Sequence, residues 1–468
     1  MKLELKDKKV LVLGLGDTGL SALRWLKRQG ALLSVADTRT APANAELIKS
    51  EMPELDIYLA RFDNAGFDDA AFADAQLIVI SPGVPLAEPQ VQAAISRGIP
   101  VIGDVELFAQ YRPASAKLIA ITGANGKSTV TTLVGEMCKA AGLNTVVAGN
   151  IGLPVLDTLM NDEAPDVYVL ELSSFQLETT SSLNADVATV LNLSEDHLDR
   201  YDGMPGYAAA KARIFNGASA QVLNRQDGWS LGMAKQSSVH STFGIDTPEL
   251  PDDFGLQQEN DGAWLVRGSN KLLNASELHI AGQHNASNAL AALALCSAIG
   301  LETAPMLNAL REFKGLPHRV QWVAEVLGVA FYDDSKGTNV GATCAALAGL
   351  FDPASGQKAV LIAGGDGKGQ DFAPLAGPVK ENARAVVLIG RDAPQIATVL
   401  DGADIPLILS STLEEAVQAA FSAAQPGDAV LLSPACASFD MFRNYEHRAE
   451  VFVDAVNRLV SRAVRGIA

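Results

Sequence analysis

The sequence contains few cysteines, and they follow no pairing pattern. Only four occur among 468 residues, at positions 138, 296, 344 and 436, and none belongs to a Cys-x-x-Cys motif. This spacing argues against both a disulfide framework and a zinc knuckle. We expect the four side chains to be reduced thiols of an intracellular protein.

The chain also lacks an excess of positive charge. Lys and Arg total 36 against 54 Asp and Glu, which gives a formal net charge of −18. This charge disfavours nucleic acid and anionic membranes as partners, although a nucleotide can still bind in a local cationic pocket. The apolar run Ala289–Leu301 is too short to span a bilayer, and Met1–Asp7 contains no signal-peptide core. We therefore expect a cytoplasmic protein.

Strand-like apolar runs alternate with helical stretches along the whole chain, which is typical of parallel α/β architecture. A chain of 468 residues is too long for one hydrophobic core. The pattern is interrupted near Val105–Pro113 and at the Pro/Gly-containing segment Lys314–Pro317. We predict three α/β domains, at 1–105, 106–316 and 317–468.

The most informative segment is Gly123–Thr129, which reads GANGKST. It lies between the strand-like run Leu118–Ile121 and the helix-like run Val130–Ala141. The glycines let backbone N–H groups converge on a phosphate, and the start of the following helix attracts the same anion. Lys127 offers a cation to the β- and γ-phosphates, and the hydroxyl residues after it suit Mg²⁺. The segment predicts a nucleoside triphosphate site, and a chance glycine-rich turn is the weaker alternative.

A second glycine-rich turn, Gly14–Gly19, is followed by Asp37 beyond the next strand-like run. This arrangement matches a dinucleotide-binding turn. Asp17 within the turn would repel a closely held diphosphate, while Thr38 and Arg39 could bind the base, ribose or phosphate of a nucleotide. A purely structural turn is a nearly equal alternative.

Several residues after strand-like runs of the central domain suit metal or proton chemistry. Glu171 could hold Mg²⁺ directly or through water, against the alternative of a solvated acid at the rim. The acidic segment Asn192–Arg200 contains His197, which could bind a second cation, carry a proton or be structural. Lys211 lies on a helical stretch, and it could ligate a metal only as an anionic carbamate.

Three polar loops follow strand-like runs of the third domain: Asp333–Asn339, Gly364–Lys368 and Ser433–Asp440. Ligands of open α/β sheets bind at the carboxyl ends of the strands. Lys336 and Lys368 could bind carboxylates or phosphates there. Any single loop could be a simple turn, but three on one sheet edge predict a ligand site.

Taken together, these motifs resemble the Mur ligases, and the resemblance covers essentially the whole chain. It rests on GLGDTG at 14–19, TGANGKST at 122–129, GNIG at 149–152, ELSSFQLE at 171–178, EDH at 195–197, GQHN at 282–285, GLPHR at 315–319 and SPACAS at 433–438. The 171–178 run and the third-domain loops point to the branch that adds D-glutamate to UDP-N-acetylmuramoyl-L-alanine. The resemblance implies ATP-dependent amide ligation through an acyl phosphate, in cytoplasmic peptidoglycan precursor synthesis.

The resemblance also implies a fold and roles for individual residues. The expected fold has a Rossmann-like N-terminal domain, a central P-loop-type ATPase domain with a parallel sheet, and a Rossmann-like C-terminal domain. The catalytic residues would be Lys127, His197, Lys211 and Arg319. The ATP-binding residues would be Gly123, Ala124, Asn125, Gly126, Lys127, Ser128, Thr129, Asn285, Asn288, Arg319 and Asp334. The UDP-substrate residues would be Thr18, Asp37, Thr38, Arg39, Ser81, Gly83, Asn150, Ser173, Gln176 and His197. The D-glutamate residues would be Lys336, Thr338, Lys368, Ser438 and Tyr445. The metal ligands would be Ser128, Glu171, His197 and a carbamylated Lys211.

The implied cofactors are ATP and two Mg²⁺ ions, with Mn²⁺ as a substitute. The implied partners are small-molecule substrates alone, without nucleic acid or membrane, and the protein is expected to be a monomer whose third domain swings about residues 315–319. Two positions depart from the family pattern: Asp17 stands where an apolar residue is familiar, and Tyr445 where Phe is.

Three alternatives remain at this stage. A nicotinamide-dependent oxidoreductase would explain the first glycine turn but would leave Lys127 without a role. A ligase similar to folylpolyglutamate synthase would share the ATP domain but not the uridine-type first domain. A nucleotide-sensing module would bind without hydrolysis and would not need the clustered acids.

Overall fold

The computed structural model describes residues 2–59, 67–161, 163–196, 200–235, 239–280, 282–350 and 356–467. These residues form three sheets, each built from one consecutive part of the chain. Within these ranges, no helix has both the length and the apolar composition that a membrane-crossing segment requires.

The first unit is a five-stranded parallel sheet in the order β3-β2-β1-β4-β5, a Rossmann-like arrangement. The strand order reverses between β1 and β4, and ligands bind at such switch points. Its elements are β1 (Lys9–Leu13), α1 (Asp17–Arg28), β2 (Leu32–Asp37), α2 (Ala45–Glu51), β3 (Asp56–Leu59), β4 (Leu77–Ile80), α3 (Pro89–Ser96) and β5 (Val101–Ile102), followed by α4 (Asp104–Tyr111).

The second unit is a nine-stranded sheet in the order β14-β13-β12-β11-β10-β9-β6-β8-β7. Neighbouring strands pair in parallel except in the pairings β12–β13 and β13–β14, which are antiparallel. Its elements up to β11 are β6 (Lys117–Thr122), α5 (Lys127–Ala140), β7 (Thr145–Gly149), β8 (Val167–Glu171), α6 (Ser174–Glu178), β9 (Val187–Val190), α7 (Gly203–Ala212), β10 (Ala220–Asn224), α8 (Gly228–Gly232) and β11 (Val239–Phe243). The remaining elements are β12 (Phe254–Glu259), β13 (Gly262–Arg267), β14 (Asn270–Asn274), α9 (Gln283–Ala298) and α10 (Thr303–Glu312).

The third unit is a six-stranded sheet in the order β15-β16-β20-β17-β18-β19, parallel except for the β15–β16 hairpin. Its elements are β15 (Gln321–Val326), β16 (Val329–Asp333), α11 (Val340–Leu350), β17 (Ala359–Gly364), α12 (Ala376–Asn382), β18 (Ala383–Ile389), α13 (Ala393–Leu400), β19 (Leu407–Leu409), α14 (Leu413–Ala423), β20 (Ala429–Leu432) and α15 (Tyr445–Ile467). The predicted three-part α/β fold is confirmed.

Alternate residues of β6 face opposite cores because successive strand side chains point to opposite sides of a sheet. Leu118 and Ala120 pack into a cluster that continues into the first unit. Ile119 and Ile121 pack on the other side, in the cluster that contains the apolar residues of α5 and α9. The third unit has its own clusters on the two faces of its sheet. The first two units therefore share apolar packing, whereas the third is packed separately.

The helix after the phosphate loop begins three residues earlier than predicted, at Lys127 instead of Val130. Gly126 is its N-cap residue, with φ +81° in the left-handed region that glycine tolerates. A Cβ at Gly126 would also lie 2.4 Å from Asn288 Oδ1. The earlier start brings Lys127, Ser128 and Thr129 into the first turn of the helix.

Candidate active site

The phosphate loop is held in shape by Asn192, which lies two residues after the end of β9. The backbone N–H of Ala124 donates to the Asn192 carbonyl at 2.8 Å. The N–H of Asn125 donates to Asn192 Oδ1 at 2.8 Å, and Asn192 Nδ2 donates back to the Asn125 carbonyl at 3.1 Å. The sequence pattern placed Asn192 in an acidic segment and did not predict its contact with the phosphate loop. The only sequence feature that indicated such a role was its position after an apolar strand.

Lys127 and Lys211 donate to one carbonyl oxygen, that of Gly123, each at 2.9 Å. Lys127 also donates to the carbonyl of Ala124, and Lys211 donates to the Thr122 hydroxyl at 3.1 Å. Burial, and then the neighbouring Lys127 ammonium, hold the pKa of Lys211 well below its ordinary value. Burial also lowers the pKa of Lys127. The two amines thus form one coupled pair beneath the loop.

Glu171, the last residue of β8, is buried beside this pair. Its Oε1 accepts a hydrogen bond from Asn150 Nδ2 at 2.8 Å. Its Oε2 is buried and has no hydrogen-bond partner among the described residues. A buried carboxylate oxygen of this kind is expensive unless something binds it. Because oxygen is the ligand that Mg²⁺ prefers, Glu171 fits a magnesium site.

The other groups near Glu171 agree with a sparsely ligated cation. Ser128 is buried, and its hydroxyl accepts a hydrogen bond from Lys336 Nζ at 3.2 Å. In the described part of the chain, no three His, Cys, Asp or Glu side chains gather closely enough to hold a metal by themselves. Mg²⁺ suits such a site because it retains several waters and binds substrate phosphates. The predicted ligand His197 lies outside the described residues.

A first cleft of about 860 Å³ lies between the first and second units. It brings together eight of the ten residues predicted for the UDP-linked substrate: Thr18, Asp37, Thr38, Arg39, Ser81, Gly83, Asn150 and Gln176. Ser173 instead forms the capping box of α6 with Gln176. Asp17 and Arg24 also line this cleft. The sequence pattern gave Arg24 no role. It reaches the cleft because it lies about two helical turns along α1 from the glycine turn.

Asp37 organises the predicted nucleotide end of this cleft. Its Oδ2 accepts a hydrogen bond from the N–H of Leu15 at 2.7 Å, and both of its oxygens accept from the Arg39 guanidinium. Burial opposes ionisation, but the hydrogen bonds from Arg39 and Leu15 hold the pKa of Asp37 below its ordinary value. The pair fixes both the glycine turn and Arg39, whose side chain stays about half exposed.

A second cleft, of about 330 Å³, lies between the phosphate loop, α9 and the third unit. Its lining includes seven residues predicted for ATP: Asn125, Gly126, Thr129, Asn285, Asn288, Arg319 and Asp334. Burial raises the pKa of Asp334 to about 7. Arg319 Nε is buried and lacks a hydrogen-bond partner within the described ranges. Both groups are therefore poised for a polar ligand.

His284 also lines the second cleft, although sequence reasoning gave it no role. Burial, with Arg319 nearby, lowers the pKa of His284 to about 4, so its imidazole is neutral near pH 7. A neutral, partly buried ring at the start of α9 suits contact with a nucleobase. The only sequence signal was its place in the GQHN motif.

The three polar loops of the third unit follow β16, β17 and β20, which are adjacent strands. They face the phosphate loop: besides the Lys336 contact with Ser128, Lys368 Nζ pairs with Asp196 Oδ1 at 2.8 Å. Lys336 Nζ also lies 5.4 Å from the ring centroid of Tyr445, the first residue of α15. Ser438 is buried on the same edge. Lys336, Lys368 and Tyr445 thus approach the same region as the phosphate loop.

A phosphate loop with two lysines beneath it, a buried carboxylate oxygen without a partner among the described residues, and two clefts define a nucleotide-dependent enzyme with three α/β units. Three family models match the chain: the Mur ligase MurD-like N-terminal domain at 8–103, the Mur ligase middle domain at 121–296 and the Mur ligase glutamate ligase domain at 318–436. The chain belongs to the Mur ligase family, as predicted, and ATP is the nucleotide of that family.

Individual relatives agree over the full length. A UDP-N-acetylmuramoylalanine--D-glutamate ligase of Methylobacillus flagellatus is 65% identical over 99% of both chains. The enzyme of that name from Nitrosomonas europaea is 55% identical over 97% of each chain. The crystal structure of a UDP-N-acetylmuramate-alanine ligase from Thermotoga maritima, 19% identical, covers 96% of this chain and 99% of its own with a TM-score of 0.61, which shows the shared fold.

Proposed function

We propose that this protein joins D-glutamate to UDP-N-acetylmuramoyl-L-alanine with hydrolysis of ATP to ADP and phosphate. The observation that carries this proposal is the convergence of Lys127, Lys211, Glu171 and Lys336 around the phosphate loop, with one cleft on each side. The 65% identical relative bears the name of this activity over its whole length. In this proposal the reaction takes place in the cytoplasm, and ATP and a UDP-linked precursor are small-molecule substrates that suit that compartment.

The first cleft takes the UDP-linked substrate in this proposal. Thr18, Asp37, Thr38 and Arg39 bind its uridine nucleotide, with Ser81 and Gly83 beside them. Asn150, Ser173, Gln176 and His197 hold the muramoyl-alanine end. The contact between Asn150 and Glu171 supports this orientation of the substrate, with its muramoyl-alanine end towards the phosphate loop, because Asn150 lines the cleft and Glu171 lies beside the loop.

The second cleft takes ATP. The loop Gly123–Thr129 surrounds the phosphates, Asn285 and Asn288 contact the nucleoside, and Asp334 accepts a hydrogen bond from the ribose. Lys127 and Arg319 offset the negative charge that spreads over the phosphoryl group during its transfer to the alanine carboxylate. The unpaired Arg319 Nε supports this role because a phosphate oxygen would satisfy it.

Two Mg²⁺ ions, which Mn²⁺ could replace, would neutralise the nucleotide phosphates and the developing charge when bound. Ser128 and Glu171 would hold one, and His197 and a carbamylated Lys211 the other. The lowered pKa of Lys211 supports carbamylation, because only the neutral amine attacks CO₂. The amine nitrogen bonds to the CO₂ carbon and releases one proton, which leaves an anionic carbamate.

D-Glutamate binds between the third-unit loops, at Lys336, Thr338, Lys368, Ser438 and Tyr445. Its amine attacks the acyl phosphate and expels phosphate, so the alanine carbonyl ends in an amide. Positioning supplies much of the acceleration, on the order of 7–11 kcal/mol in well-aligned systems. His197 would assist proton transfer or ligate metal. The acyl phosphate must be kept from water, and the third unit covers the phosphate loop.

We further propose domain boundaries at 105 and 316, and a monomer whose third domain moves about 315–319. The sheets support these divisions, since the first ends at Ile102, the second spans Lys117 to Asn274 and the third begins at Gln321. Gly315, His318 and Val320 all have positive φ values, of 88°, 61° and 48°, which mark an unusual backbone at the proposed hinge.

Phosphate release tests the function directly. The protein is mixed with ATP, Mg²⁺ and UDP-N-acetylmuramoyl-L-alanine, and D-glutamate, L-glutamate, L-lysine or meso-diaminopimelate is added separately. We expect strong release with D-glutamate alone. Release with another amino acid would contradict the amino-acid assignment, and no release with any of the four would contradict the ligase proposal.

A further inference from the structure

Arg448, in the first turn of α15, is a cation buried within the third unit. The residue is only 1% exposed. Its hydrogen bonds go to uncharged oxygens: Nε donates to Ser335 Oγ at 3.0 Å, Nη2 to the Ser335 carbonyl at 2.7 Å, and Nη1 to the Cys436 carbonyl at 3.1 Å. In the described part of the chain its guanidinium bonds directly to no carboxylate, although Asp333, Asp334 and Asp440 lie close enough to act on its charge. Burying a charge without a directly bonded carboxylate is costly, and an apolar side chain of similar volume often stabilises a core better. The arginine therefore calls for a reason beyond stability.

The acceptors of Arg448 belong to two of the three polar loops. Ser335 immediately precedes Lys336 in the loop after β16. Its hydroxyl accepts from Arg448 and donates to the carbonyl of Tyr445 at 2.8 Å, which ties the start of α15 to the same point. Cys436 lies in the loop after β20, two residues before Ser438. One guanidinium thus holds the backbone that carries Lys336, Tyr445 and Ser438.

The third loop is joined to this network through Ala437. Ala437 and Asp366 exchange two backbone hydrogen bonds, at 2.8 and 3.0 Å, two residues before Lys368. Lys368 itself has φ +52°, and Ala435 has φ +59°, in the left-handed region that residues with a Cβ rarely adopt. Such backbone persists only where surrounding contacts enforce it. The Arg448 contact with Cys436 lies next to Ala435 and is one of those contacts.

We propose that Arg448 is the positioning residue of the amino-acid site, setting from below the loops that present Lys336, Lys368 and Ser438 to D-glutamate. This inference rests on the proposed function. Arg448 does not touch the substrate itself, since it is buried beneath the loops. A planar guanidinium is required because its three N–H directions reach three acceptors at once, whereas a lysine ammonium on a flexible stem does not reproduce that fork.

The test compares Arg448→Lys with Arg384→Lys in the full-length protein, by measuring the KM of each substrate and the melting temperature. Arg384 is a matched control because it also bonds through Nε and Nη2, but to Asp428, away from the three loops. We expect Arg448→Lys to raise the KM for D-glutamate about tenfold or more, with the KM for ATP and for the UDP-linked substrate within about twofold of wild type. Arg384→Lys should lower the melting temperature without changing the KM for D-glutamate.

Arg448→Ala adds a second measurement, chemical rescue of the KM for D-glutamate, which a general loss of stability would not produce. Methylguanidinium at a non-denaturing concentration should lower its KM for D-glutamate towards the wild-type value. A wild-type KM for D-glutamate in Arg448→Lys, or an equal rise in all three KM values, would overturn the positioning role. If wild-type protein releases no phosphate with D-glutamate, the proposed function fails instead, so the two failures are distinguishable. If Arg448→Ala does not fold, the comparison of Arg448→Lys with Arg384→Lys decides the test by itself.

Discussion

The side-chain amide of Asn339 donates a hydrogen bond to Asn125 Oδ1 at 3.0 Å, across 214 positions of sequence. Asn125 lies in the phosphate loop, and Asn339 lies just before α11 in the third unit. Asn339 Oδ1 accepts from the N–H of Ala342 at 2.9 Å, so its own orientation is fixed. The third unit therefore contacts the phosphate loop through a directed hydrogen bond.

Replacing Asn339 with Asp should weaken this contact while keeping the acceptor for Ala342. The new carboxylate would face Asn125 Oδ1 and would repel it. We expect kcat/KM for ATP to fall about tenfold, because a directed hydrogen bond becomes a repulsion. Small-angle scattering with an ATP analogue and the UDP-linked substrate should show less compaction than for wild type. Asn382→Asp, which makes the same charge change in α12, should behave as wild type; equal compaction of Asn339→Asp and wild type would contradict the prediction.

Lys211→Arg should reduce activity strongly, because it replaces the proposed anionic carbamate with a permanent positive charge. Arginine remains protonated in proteins and cannot form a carbamate. We expect phosphate release to fall about a hundredfold or more. Lys235→Arg, at a lysine of the same unit that donates to the carbonyl of Phe215, is the control and should stay active.

A spectroscopic measurement tests the carbamate itself. Wild-type protein in ¹³C-bicarbonate should give a carbamate carbon signal that Lys211→Arg lacks. The signal should grow as the pH rises towards the lowered pKa of Lys211, because the neutral amine is the reactive form. Full activity of wild type after removal of dissolved CO₂ would speak against carbamylation.

Glu171→Gln should separate magnesium binding from folding. Glutamine keeps the acceptor for Asn150 but removes the charge on the unpaired oxygen. We expect the Mg²⁺ concentration for half-maximal activity to rise about tenfold or more. Without metal the variant should melt near the wild-type temperature, because the lost attraction to Lys127, Lys211 and Lys336 is offset by removal of a buried carboxylate charge. Glu136→Gln, on the exposed face of α5, is the control. Unchanged magnesium dependence of Glu171→Gln would argue against this ligand.

Asp104→Asn should stabilise the protein at neutral pH. Asp104 is fully buried at the start of α4, and in the described structure its Oδ1 has no hydrogen-bond partner. Burial raises the pKa of this carboxyl to about 6, from an ordinary value of 3.8. The folded state therefore binds the proton more tightly, and its contribution to stability is present below about pH 4 and is lost as the pH rises through 6.

This difference corresponds to roughly 3 kcal/mol at pH 7.5. Thermal unfolding of Asp104→Asn should show a higher melting temperature than wild type at pH 7.5 and a nearly equal one at pH 4. Asp157→Asn, at a partly buried acid of the second unit, is the comparison variant. A variant less stable than wild type at pH 7.5 would contradict the assignment.

Local sequence was sufficient for the strands and for the phosphate loop. The runs Leu77–Ile80 and Ala429–Leu432 are strands with the predicted bounds, because continuous apolar segments between polar turns suit buried parallel strands. The phosphate loop was equally predictable from sequence, because its glycines and Lys127 act within a few residues of one another. The first residues of helices were harder to predict. Helix α5 begins earlier than predicted because Gly126 adopts a conformation that composition alone does not reveal.

The sequence by itself determined the α/β class, the family and the residue types that follow the strands around the phosphate loop, because those depend on short-range pattern and on side-chain chemistry. Only the tertiary structure decided which distant groups meet. The Gly123 carbonyl accepts from both Lys127 and Lys211, Asn192 bonds to the phosphate loop, and Arg448 bonds to two loops of the third unit. Each of these contacts joins residues from different elements of the fold. Sheet order and packing bring these groups together, and neither spacing nor composition encodes a distance of that kind.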